Sequence, residues 1–316
     1  MQMNKTPMPE QDPRVRAHNF EEVATGYTAE MAIQEAQRCL DCRHKPCVEG
    51  CPVNVKIPDF IRLLKKGDAR AAYDVIRQDN ALPAICGRVC PQETQCEARC
   101  VRGVKGEPVG IGRLERYAAD TAMAEEAAGE AKVNAENAKA RVAVVGSGPA
   151  GLSCAGELNH MGYDVTIFEA LHTPGGVLVY GIPEFRLPKQ LVRREIDGLE
   201  RAGVQIVTNA VIGKSITLNE LLEEEGFSAA FVGSGAGLPR FQNIEGEQLS
   251  GVYSANEFLT RVNLMKAYRF PEYLTPVRAG KRVAVVGGGN VAMDAARCAR
   301  RLGAEVTILY RRTEKE

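Results

Sequence analysis

Eight of the ten cysteines in this 316-residue chain lie in two short groups whose spacing could bind metal. The first group reads Cys-x2-Cys-x4-Cys-x3-Cys-Pro and comprises Cys39, Cys42, Cys47 and Cys51. The second reads Cys-x3-Cys-Pro-x4-Cys-x3-Cys and comprises Cys86, Cys90, Cys96 and Cys100. Clustered thiols in a reducing compartment more often bind metal than form disulfides. The spacing therefore predicts a metal-binding module near the N-terminus.

The density of these thiols favours iron–sulfur clusters over zinc. Thiolates are soft ligands that bind either. Zinc sites usually separate two pairs of cysteines by roughly a dozen residues or more, whereas the first group places four thiols within 13 residues. Two iron–sulfur clusters are the prediction, and a pair of zinc sites or buried free thiols are the alternatives. His44, inside the first group, is expected to face solvent.

The Cys-Pro pairs indicate how the two groups could share ligands. Pro52 follows Cys51 directly. In two-cluster ferredoxins the cysteine of a terminal Cys-Pro ligates the other cluster. Cys51 is therefore expected to leave the cluster of the first group and to join that of the second.

A glycine-rich turn, Gly146-Ser147-Gly148-Pro149-Ala150-Gly151, follows the apolar run VAVV and opens an amphipathic helix. In that context the glycines permit a tight turn and a close approach of a pyrophosphate to the helix N-terminus. Glu169 ends the next apolar strand, where an acidic residue binds ribose hydroxyls. The segment therefore predicts a site for FAD or a dinucleotide resembling NAD, against the alternative of a glycine turn in another α/β fold.

Residues 282–311 repeat this pattern, so a second buried strand, turn, helix and strand are expected. The turn comprises Gly287, Gly288, Gly289, Asn290, Val291 and Ala292. Tyr310 stands where the first copy has its acid, and Arg311 and Arg312 follow. A carboxylate would repel a ribose 2′-phosphate, while Arg can bind it in a bidentate manner. The second copy therefore predicts an NADPH site, and a solvated strand end is the alternative.

The remaining elements follow from hydrophobic periodicity and turn residues. Helices are predicted over 28–38, with Thr28 as N-cap, over 58–66 and over 69–78, and strands over 204–208 and 229–233. An Ala- and Glu-rich helix over 117–140 is expected to run into a linker, with a domain boundary near Asn134. The predicted organisation is a helical iron–sulfur module (1–133), the first part of a doubly wound α/β FAD domain (134–280) and an incomplete NADPH domain (281–316).

Composition agrees with a globular protein, with 45% apolar and 25% charged residues. Forty basic and forty acidic side chains balance, which gives no electrostatic reason to expect nucleic acid or an anionic membrane as a partner. No apolar run reaches the roughly 18 residues of a membrane span, and residues 1–20 have no apolar core of a secretory signal. The expected location is the cytoplasm.

Two dinucleotide sites and two clusters together specify electron transfer. NADPH gives up two electrons as hydride, a flavin takes both and releases them singly, and each cluster carries one. The sequence has no Ser/His/Asp or paired-carboxylate constellation, so no catalytic side chain is expected. Cys154 and Cys298 fall on the predicted helices, where packing is the expected role.

The chain resembles the small (β) subunit of NADPH-dependent glutamate synthase, and it is similar to the N-terminal part of dihydropyrimidine dehydrogenase and to the large subunit of NADH-dependent reduced ferredoxin:NADP oxidoreductase. The segments that carry the resemblance are CLDCRHKPCVEGCPVNVKIPDFI, ICGRVCPQETQCEARC, GIGRLERYAAD, VAVVGSGPAGLSCA, GGVLVYGIPEFRLPK and VVGGGNVAMDAARCARRLGA.

The resemblance implies specific ligands. One [4Fe-4S] cluster would be held by Cys39, Cys42, Cys47 and Cys100, and the other by Cys51, Cys90, Cys96 and Glu115, leaving Cys86 as a non-ligand. FAD would meet Gly146, Ser147, Gly148, Gly151, Glu169, Gly176 and the backbone near Val211, with residues 175–189 along the flavin. NADPH would meet Gly287, Gly289, Asn290, Val291, Arg311 and Arg312.

The resemblance also implies a partner, the glutamate synthase large subunit, which makes glutamate from 2-oxoglutarate and glutamine. The enzyme alternative is a flavin-based ferredoxin:NADP oxidoreductase subunit, with or without electron bifurcation, that has a ferredoxin-type partner. Relatives continue past the position of Glu316, so the NADPH domain is expected to be incomplete and the chain a fragment or one completed by a partner. An electron-transfer or docking module without catalytic activity is the third interpretation, and an oligomer is possible.

Overall fold

The computed structural model describes residues 2–125, 138–277 and 279–313. The first described range is helical. Its α-helices are α1 (Pro13–Arg16), α2 (Ala29–Ala36), α3 (Pro46–Glu49), α4 (Ile57–Leu64), α5 (Ala69–Arg77), α6 (Pro83–Val89) and α7 (Ile111–Glu125), with 3-10 turns at Gln92–Thr94 and Val101–Val104. Three predicted helices are confirmed to within two residues at either end, and Thr28 caps α2 by accepting the N–H of Met31.

The helices enclose an apolar core. Phe60, Ile61, Ala72, Ile76 and Leu114 are fully or almost fully buried in it. Their helical spacing on α4, α5 and α7 puts them on facing stripes. The Ala- and Glu-rich helix starts earlier than predicted, at Ile111. The proposed boundary near Asn134 lies outside the described residues.

A four-stranded parallel sheet follows in the order β3-β2-β1-β4. Its elements are β1 (Arg141–Val145), α8 (Pro149–His160), β2 (Asp164–Phe168), α9 (Val177–Tyr180), α10 (Lys189–Ala202), β3 (Gln205–Val207), α11 (Leu218–Glu223) and β4 (Ala229–Val232). Strand order reverses direction between β1 and β4, which is the crevice where a doubly wound fold binds its ligand. The predicted FAD-domain architecture is confirmed.

The second repeat copy is a smaller unit. It contains β5 (Arg282–Val286), α13 (Asn290–Arg301) and β6 (Glu305–Leu309), and α12 (Ala255–Asn263) precedes it. β5 pairs with β6 in the same parallel register that β1 makes with β2. The expectation of a buried strand is wrong for β5, whose residues alternate between exposed and half-buried. Within the described ranges β5 has β6 as its one neighbouring strand, so its other edge stays open.

Helix α6 belongs to both halves of the molecule. Ala84 packs in the helical core, whereas Leu82 and Ile85 pack in the core of the α/β sheet. Glu195 on α10 accepts the N–H of Ala84 at 2.8 Å, which satisfies a free donor in the first turn of α6. The helix is therefore fixed to the sheet domain by packing and by a buried hydrogen bond.

Candidate metal centres and dinucleotide sites

The first predicted ligand set comes together in space. Its four thiols, Cys39, Cys42, Cys47 and Cys100, line a single pocket. Cys39 lies beyond α2, Cys47 lies in α3, and Cys100 precedes the 3-10 turn at Val101–Val104. Cys100 therefore reaches the first group across about sixty residues of chain, in agreement with the ligand set that the resemblance implies.

A buried ion pair fixes the backbone beside this pocket. Arg38 is 1% exposed and pairs with Glu35, 2.5 Å from Nη1 to Oε1. It also donates to the backbone carbonyl oxygens of Met3 at 2.8 Å and Glu107 at 2.6 Å. Because Arg38 directly precedes Cys39, these bonds hold the backbone at Cys39 between the N-terminal arm and the loop that follows Cys100.

Burial and neighbouring thiols disfavour the thiolate form in this pocket, so a bound positive charge such as iron is needed to stabilise it. Burial raises the pKa of Cys39, and burial together with the charges of Cys100 and Cys39 raises the pKa of Cys47 to about 11. The backbone N–H of Val109 donates to Cys100 Sγ at 3.5 Å. Hydrogen bonds to ligand sulfurs tune a cluster's potential. Cluster binding would have to release the protons of these thiols.

Members of the second predicted set interact electrostatically. Burial raises the pKa of Cys96, and the charges of Glu97, Glu115 and Cys51 raise it further. Burial likewise raises the pKa of Glu115 to about 8, with the charge of Cys90 adding to the rise. Cys96 therefore lies near Cys51 and Glu115, and Glu115 lies near Cys90. The donor set is three soft thiols and one carboxylate, which fits a cluster with one oxygen ligand.

Close helix packing makes this arrangement possible. A Cβ added at Gly87 on α6 would lie 2.6 Å from the backbone nitrogen of Arg116 on α7. Glycine therefore lets the two helices approach where Cys90, at the C-cap of α6, faces Glu115. Cys86 lies one turn before Cys90, and hydrogen bonding between the two thiols lowers the pKa of Cys90 and raises that of Cys86.

One neighbour of the second set carries no signal in the sequence. Asn80 is 6% exposed and donates from Nδ2 to Glu115 Oε1 at 2.7 Å. Its Oδ1 accepts from the thiol of Cys86 at 3.6 Å. Asn80 precedes α6 in a turn, and nothing in its local pattern distinguishes it from an ordinary turn residue.

The four thiols of the first set line a pocket rather than converging on one point. Among the described residues, no three His, Cys, Asp or Glu side chains converge as around a single metal ion. A [4Fe-4S] cluster binds its four ligands on four different irons. The pocket that the four thiols of the first set line would suit such a cluster.

The first glycine turn has the geometry that a dinucleotide needs. Gly146 has φ +99°, and its Cβ would lie 2.5 Å from the carbonyl oxygen of Gly233. Gly148 caps α8, and a Cβ there would meet no atom within 4 Å, which leaves open space at the helix N-terminus. A Cβ at Gly151 would lie 1.8 Å from the Gly146 carbonyl oxygen. Gly176 packs against Gly148, with its Cβ position 2.7 Å from Cα.

Glu169 follows β2 and turns its carboxylate to this loop. Oε2 accepts from the backbone N–H of Ser147 at 2.9 Å and from its hydroxyl at 2.5 Å. Oε1 accepts from the N–H of Leu171 at 2.8 Å. A carboxylate has about four acceptor positions, so capacity remains for ribose hydroxyls. The Ala210 N–H donates to the Glu169 carbonyl oxygen at 2.9 Å, which brings the backbone of Val211 beside the same site.

The second turn shares this backbone but not these contacts. Gly287 has φ +127°, and a Cβ at Gly289, the N-cap of α13, would meet no atom within 4 Å. The ring of Tyr310 lies over Gly288, with ring carbons 2.9 Å from a Cβ position there. Asn290 and Val291 open α13, and Arg311 and Arg312 lie exposed after β6.

No helix among the described residues combines the length and the apolar composition that a bilayer crossing requires.

Two families match the chain. Residues 16–127 match the family described as dihydropyrimidine dehydrogenase domain II, 4Fe-4S cluster. Residues 103–227 and 140–315 match the pyridine nucleotide-disulphide oxidoreductase family. These matches support iron–sulfur clusters, FAD and NADPH as cofactors.

Relatives match along almost the whole chain. The putative oxidoreductase AegA of Escherichia coli K12 is 38% identical over 95% of this chain and 46% of its own length. The NAD-dependent dihydropyrimidine dehydrogenase subunit PreT of Escherichia coli O157:H7 is 36% identical over 93% of this chain and 68% of its own. The glutamate synthase [NADPH] small chain of Halomonas elongata is 37% identical over 97% of this chain and 65% of its own. The chain thus spans about half to two thirds of these relatives.

The helical module with its clustered thiols and the two glycine turns agree with the family matches and with the relatives. The chain belongs to the pyridine nucleotide-disulphide oxidoreductase family, and it is a relative of the dihydropyrimidine dehydrogenase subunit PreT and of glutamate synthase small chains.

Proposed function

We propose that this chain is the electron-input part of a glutamate synthase, passing electrons from NADPH to a large subunit that makes glutamate. The observation that supports the proposal is the pocket that Cys39, Cys42 and Cys47 line together with Cys100 of the second group, in a helical module whose helix α6 packs against the parallel sheet. When bound, FAD and the clusters convert a two-electron donor into single electrons. The chain's own residues hold and separate these groups.

In this proposal the first cluster is held by Cys39, Cys42, Cys47 and Cys100, and the second by Cys51, Cys90, Cys96 and Glu115. Each set draws residues from both groups, so neither assembles from one loop alone. The buried Arg38 fixes the first set, and the close contact of α6 with α7 at Gly87 fixes the second.

Helix α6 connects the second ligand set to the sheet domain. Its apolar side, with Leu82 and Ile85, packs in the sheet domain, and its C-terminal end presents Cys90. Glu195 of the sheet domain fixes its first turn through Ala84. The second ligand set is therefore attached rigidly to the domain that carries the flavin turn, a suitable arrangement for electron transfer over a fixed distance.

The two turns take different nucleotides in this proposal. Glu169 binds the ribose of FAD, Gly148 leaves room for its pyrophosphate, and Gly176 permits the close approach of its own loop to Gly148. Arg311 and Arg312 bind the 2′-phosphate of NADPH. One relative is described as NAD-dependent, and the two guanidiniums with no acid at Tyr310 favour NADPH for this chain. The balanced charge and reducing chemistry suit the cytoplasm.

A second candidate function is electron input to a dihydropyrimidine dehydrogenase. It is favoured by 36% identity to PreT over 93% of this chain, close to the 37% found with glutamate synthase small chains. The two functions differ in the partner. Turnover of 2-oxoglutarate and glutamine with a glutamate synthase large subunit supports the first, and turnover of a pyrimidine without glutamate formation supports the second.

The cluster assignment is tested by anaerobic purification followed by iron, sulfide and zinc analysis. About eight irons and eight sulfides per chain are expected for two [4Fe-4S] clusters. Cys42→Ala should reduce the iron content by about half, whereas Cys154→Ala, a cysteine on α8 outside both sets, should leave it unchanged. Zinc without sulfide would contradict the proposal.

A further inference from the structure

We infer that Glu22, in the segment that joins α1 to α2, is a positioning residue for the second cluster. Its carboxylate neutralises Arg88 and Arg116, which holds α6 against α7 where these helices present Cys90 and Glu115. The inference rests on the proposed function, in which Cys90 and Glu115 are ligands of that cluster. Glu22 acts through the two helices and does not itself bind iron.

Four charged side chains form a closed ring beside α6 and α7. Arg88 of α6 donates from Nε to Glu22 Oε1 at 2.8 Å and makes two bonds of 2.8 Å to the carboxylate of Asp120 on α7. Arg116 of α7 pairs with the same two carboxylates, at 3.1 Å from Nη2 to Glu22 Oε1 and at 3.2 Å from Nε to Asp120 Oδ2. Each guanidinium therefore shares both of its acids with the other.

The charges of this ring balance only when Glu22 is included. The side chains of Arg88 and Arg116 are 5% and 6% exposed, so both positive charges are largely removed from water. Two like charges held close together repel each other, and a buried charge that loses its partner is strongly destabilising. Asp120 supplies one negative charge and Glu22 the other. Without Glu22, one positive charge would be left without an opposing charge within the ring.

The ring and the cluster ligands lie on opposite sides of one helix contact. A Cβ at Gly87 would lie 2.6 Å from the backbone nitrogen of Arg116, so α6 and α7 touch there. Successive residues of an α-helix point about 100° apart. Cys86 and, one turn later, Cys90 therefore point to one side of the contact, and Arg88 points to the other. Helices that separate on the side of the ring would also move apart on the side of the ligands.

The backbone around Glu22 is fixed on both sides of the residue. The N–H of Val23 donates to the carbonyl oxygen of Phe185 at 3.0 Å. The carbonyl oxygen of Ala24 accepts from Arg116 Nη2 at 2.9 Å. A typical surface ion pair contributes little, because two mobile side chains must be ordered to form it. Here the segment is already held in place, so the charge of Glu22 stays at the ring.

A general contribution to stability is the rival explanation for Glu22. Glu22→Gln removes the charge and keeps the size of the side chain, and Glu21→Gln, at the exposed neighbouring position, is the matched control. The double variant Glu22→Gln/Arg116→Gln removes one charge of each sign. It leaves Arg88 paired with Asp120 and restores the balance of the ring. A defect that comes from charge should be reversed in the double variant, whereas a defect in packing should remain.

The experiment uses the full chain, reconstituted anaerobically with iron and sulfide. Cys42→Ala and Cys96→Ala identify which paramagnetic signal of the dithionite-reduced protein belongs to which cluster. Each protein is then exposed to an iron chelator, and the loss of each signal and of iron per chain is followed with time. Glu22→Gln should lose the second-cluster signal several-fold faster than wild type and the first-cluster signal at the wild-type rate. Glu21→Gln should match wild type for both signals, and the double variant should return towards the wild-type rate.

Three outcomes overturn the inference. They are wild-type rates for both signals in Glu22→Gln, an equal acceleration of both, and a faster loss of the second signal that persists unaltered in the double variant. The cysteine variants keep this failure distinct from failure of the proposed function. If Cys42→Ala or Cys96→Ala leaves both signals in place, the ligand assignment itself is wrong. If each removes one signal and Glu22→Gln gives any of the three outcomes, only the role of Glu22 is rejected.

Discussion

The two copies of the βαβ repeat share one backbone and differ in what surrounds it. β1 pairs with β2, and β5 with β6, in the same parallel register, and each glycine turn starts with a glycine at positive φ. The first turn is buried, with Ser147 fully enclosed and Glu169 bonded to it. The second is open, with Val286 63% exposed and Tyr310 lying over Gly288.

We propose that this difference determines which nucleotide each turn binds. Glycine positions set the turn in both copies, and in both the Cβ space at the helix N-cap is empty. In this proposal the second residue of the turn and the residue after the second strand determine the nucleotide preference. Ser147 with Glu169 makes an anchored carboxylate for ribose hydroxyls, whereas Gly288 with Tyr310 leaves the adjoining Arg311 free of any acid at that position.

The largest expected effect comes from Gly151→Ala. Its methyl group would lie 1.8 Å from the carbonyl oxygen of Gly146, and backbone on both sides resists movement. We expect a loss of about 3 kcal/mol of unfolding free energy and loss of bound flavin, measured by urea unfolding and by absorbance. The second copy already has alanine at the matching position, so Ala292→Gly is the control and should retain flavin. Normal flavin content in Gly151→Ala would refute the tight-turn argument.

The next effect concerns Lys189, which lies between the two copies. Burial lowers its pKa to about 8, against the usual 10.5, and Asp294 and Cys298 of α13 partly oppose the shift. Between pH 8 and 10.5 the unfolded chain binds more protons at this site, so stability should rise with pH across that window. The gain should be about 2 kcal/mol.

Lys189→Met tests this pH dependence. The variant keeps an apolar stem but has no titrating group, so its stability should lack the rise between pH 8 and 10.5 that wild type shows. Urea unfolding of both proteins at pH 7.5 and pH 10 measures the difference. Parallel changes in the two proteins would contradict the lowered pKa.

A smaller effect is expected when alanine replaces Gly148 or Gly289, the two N-cap glycines with empty space at the Cβ position. Gly148→Ala places a methyl group where no protein atom lies within 4 Å, so folding should be unaffected while the pyrophosphate loses its space. We expect about a tenfold weaker affinity for FAD, measured by flavin release. Gly289→Ala should instead weaken the affinity for NADPH and leave FAD binding unchanged. If both variants affect the same nucleotide, the division between the copies is wrong.

The smallest effect is on nucleotide preference. Arg311→Ala and Arg312→Ala should each weaken the affinity for NADPH several-fold and leave the affinity for NADH unchanged. An exposed guanidinium that contacts a phosphate contributes about 1 kcal/mol to binding. Arg300→Ala on α13 is a control of the same charge. Competition binding with the two nucleotides measures the ratio. An equal loss for NADPH and NADH would exclude contact with the 2′-phosphate.

Local patterns were sufficient to predict much of this fold. Thr28 as N-cap, the apolar stripes of α4 and α5, and both glycine turns depend on neighbours within one or two turns of chain. Cysteine spacing identified a metal-binding module but left the ligand sets open. The role of Glu115 came from resemblance, since by its own pattern it is one acid on an amphipathic helix.

Contacts between distant residues could not be predicted in this way. Asn80 and Glu115 are 35 residues apart, and Arg38 bonds to Glu107 across 69. Neither pair has a periodic signal. The open edge of β5 was missed for another reason, because the run RVAVV is identical in β1 and β5 and its burial depends on neighbouring strands.

Anaerobic titration of the full chain with NADPH tests the central claim most directly. The absorbance of the flavin and the paramagnetic signals of the clusters are followed together, with NADH as the comparison and dithionite as the end point. We predict that NADPH bleaches the flavin and that two cluster signals then appear. Clusters that dithionite reduces, in a protein whose flavin NADPH leaves fully oxidised, would contradict the claim that the two repeat copies feed electrons into the cysteine module.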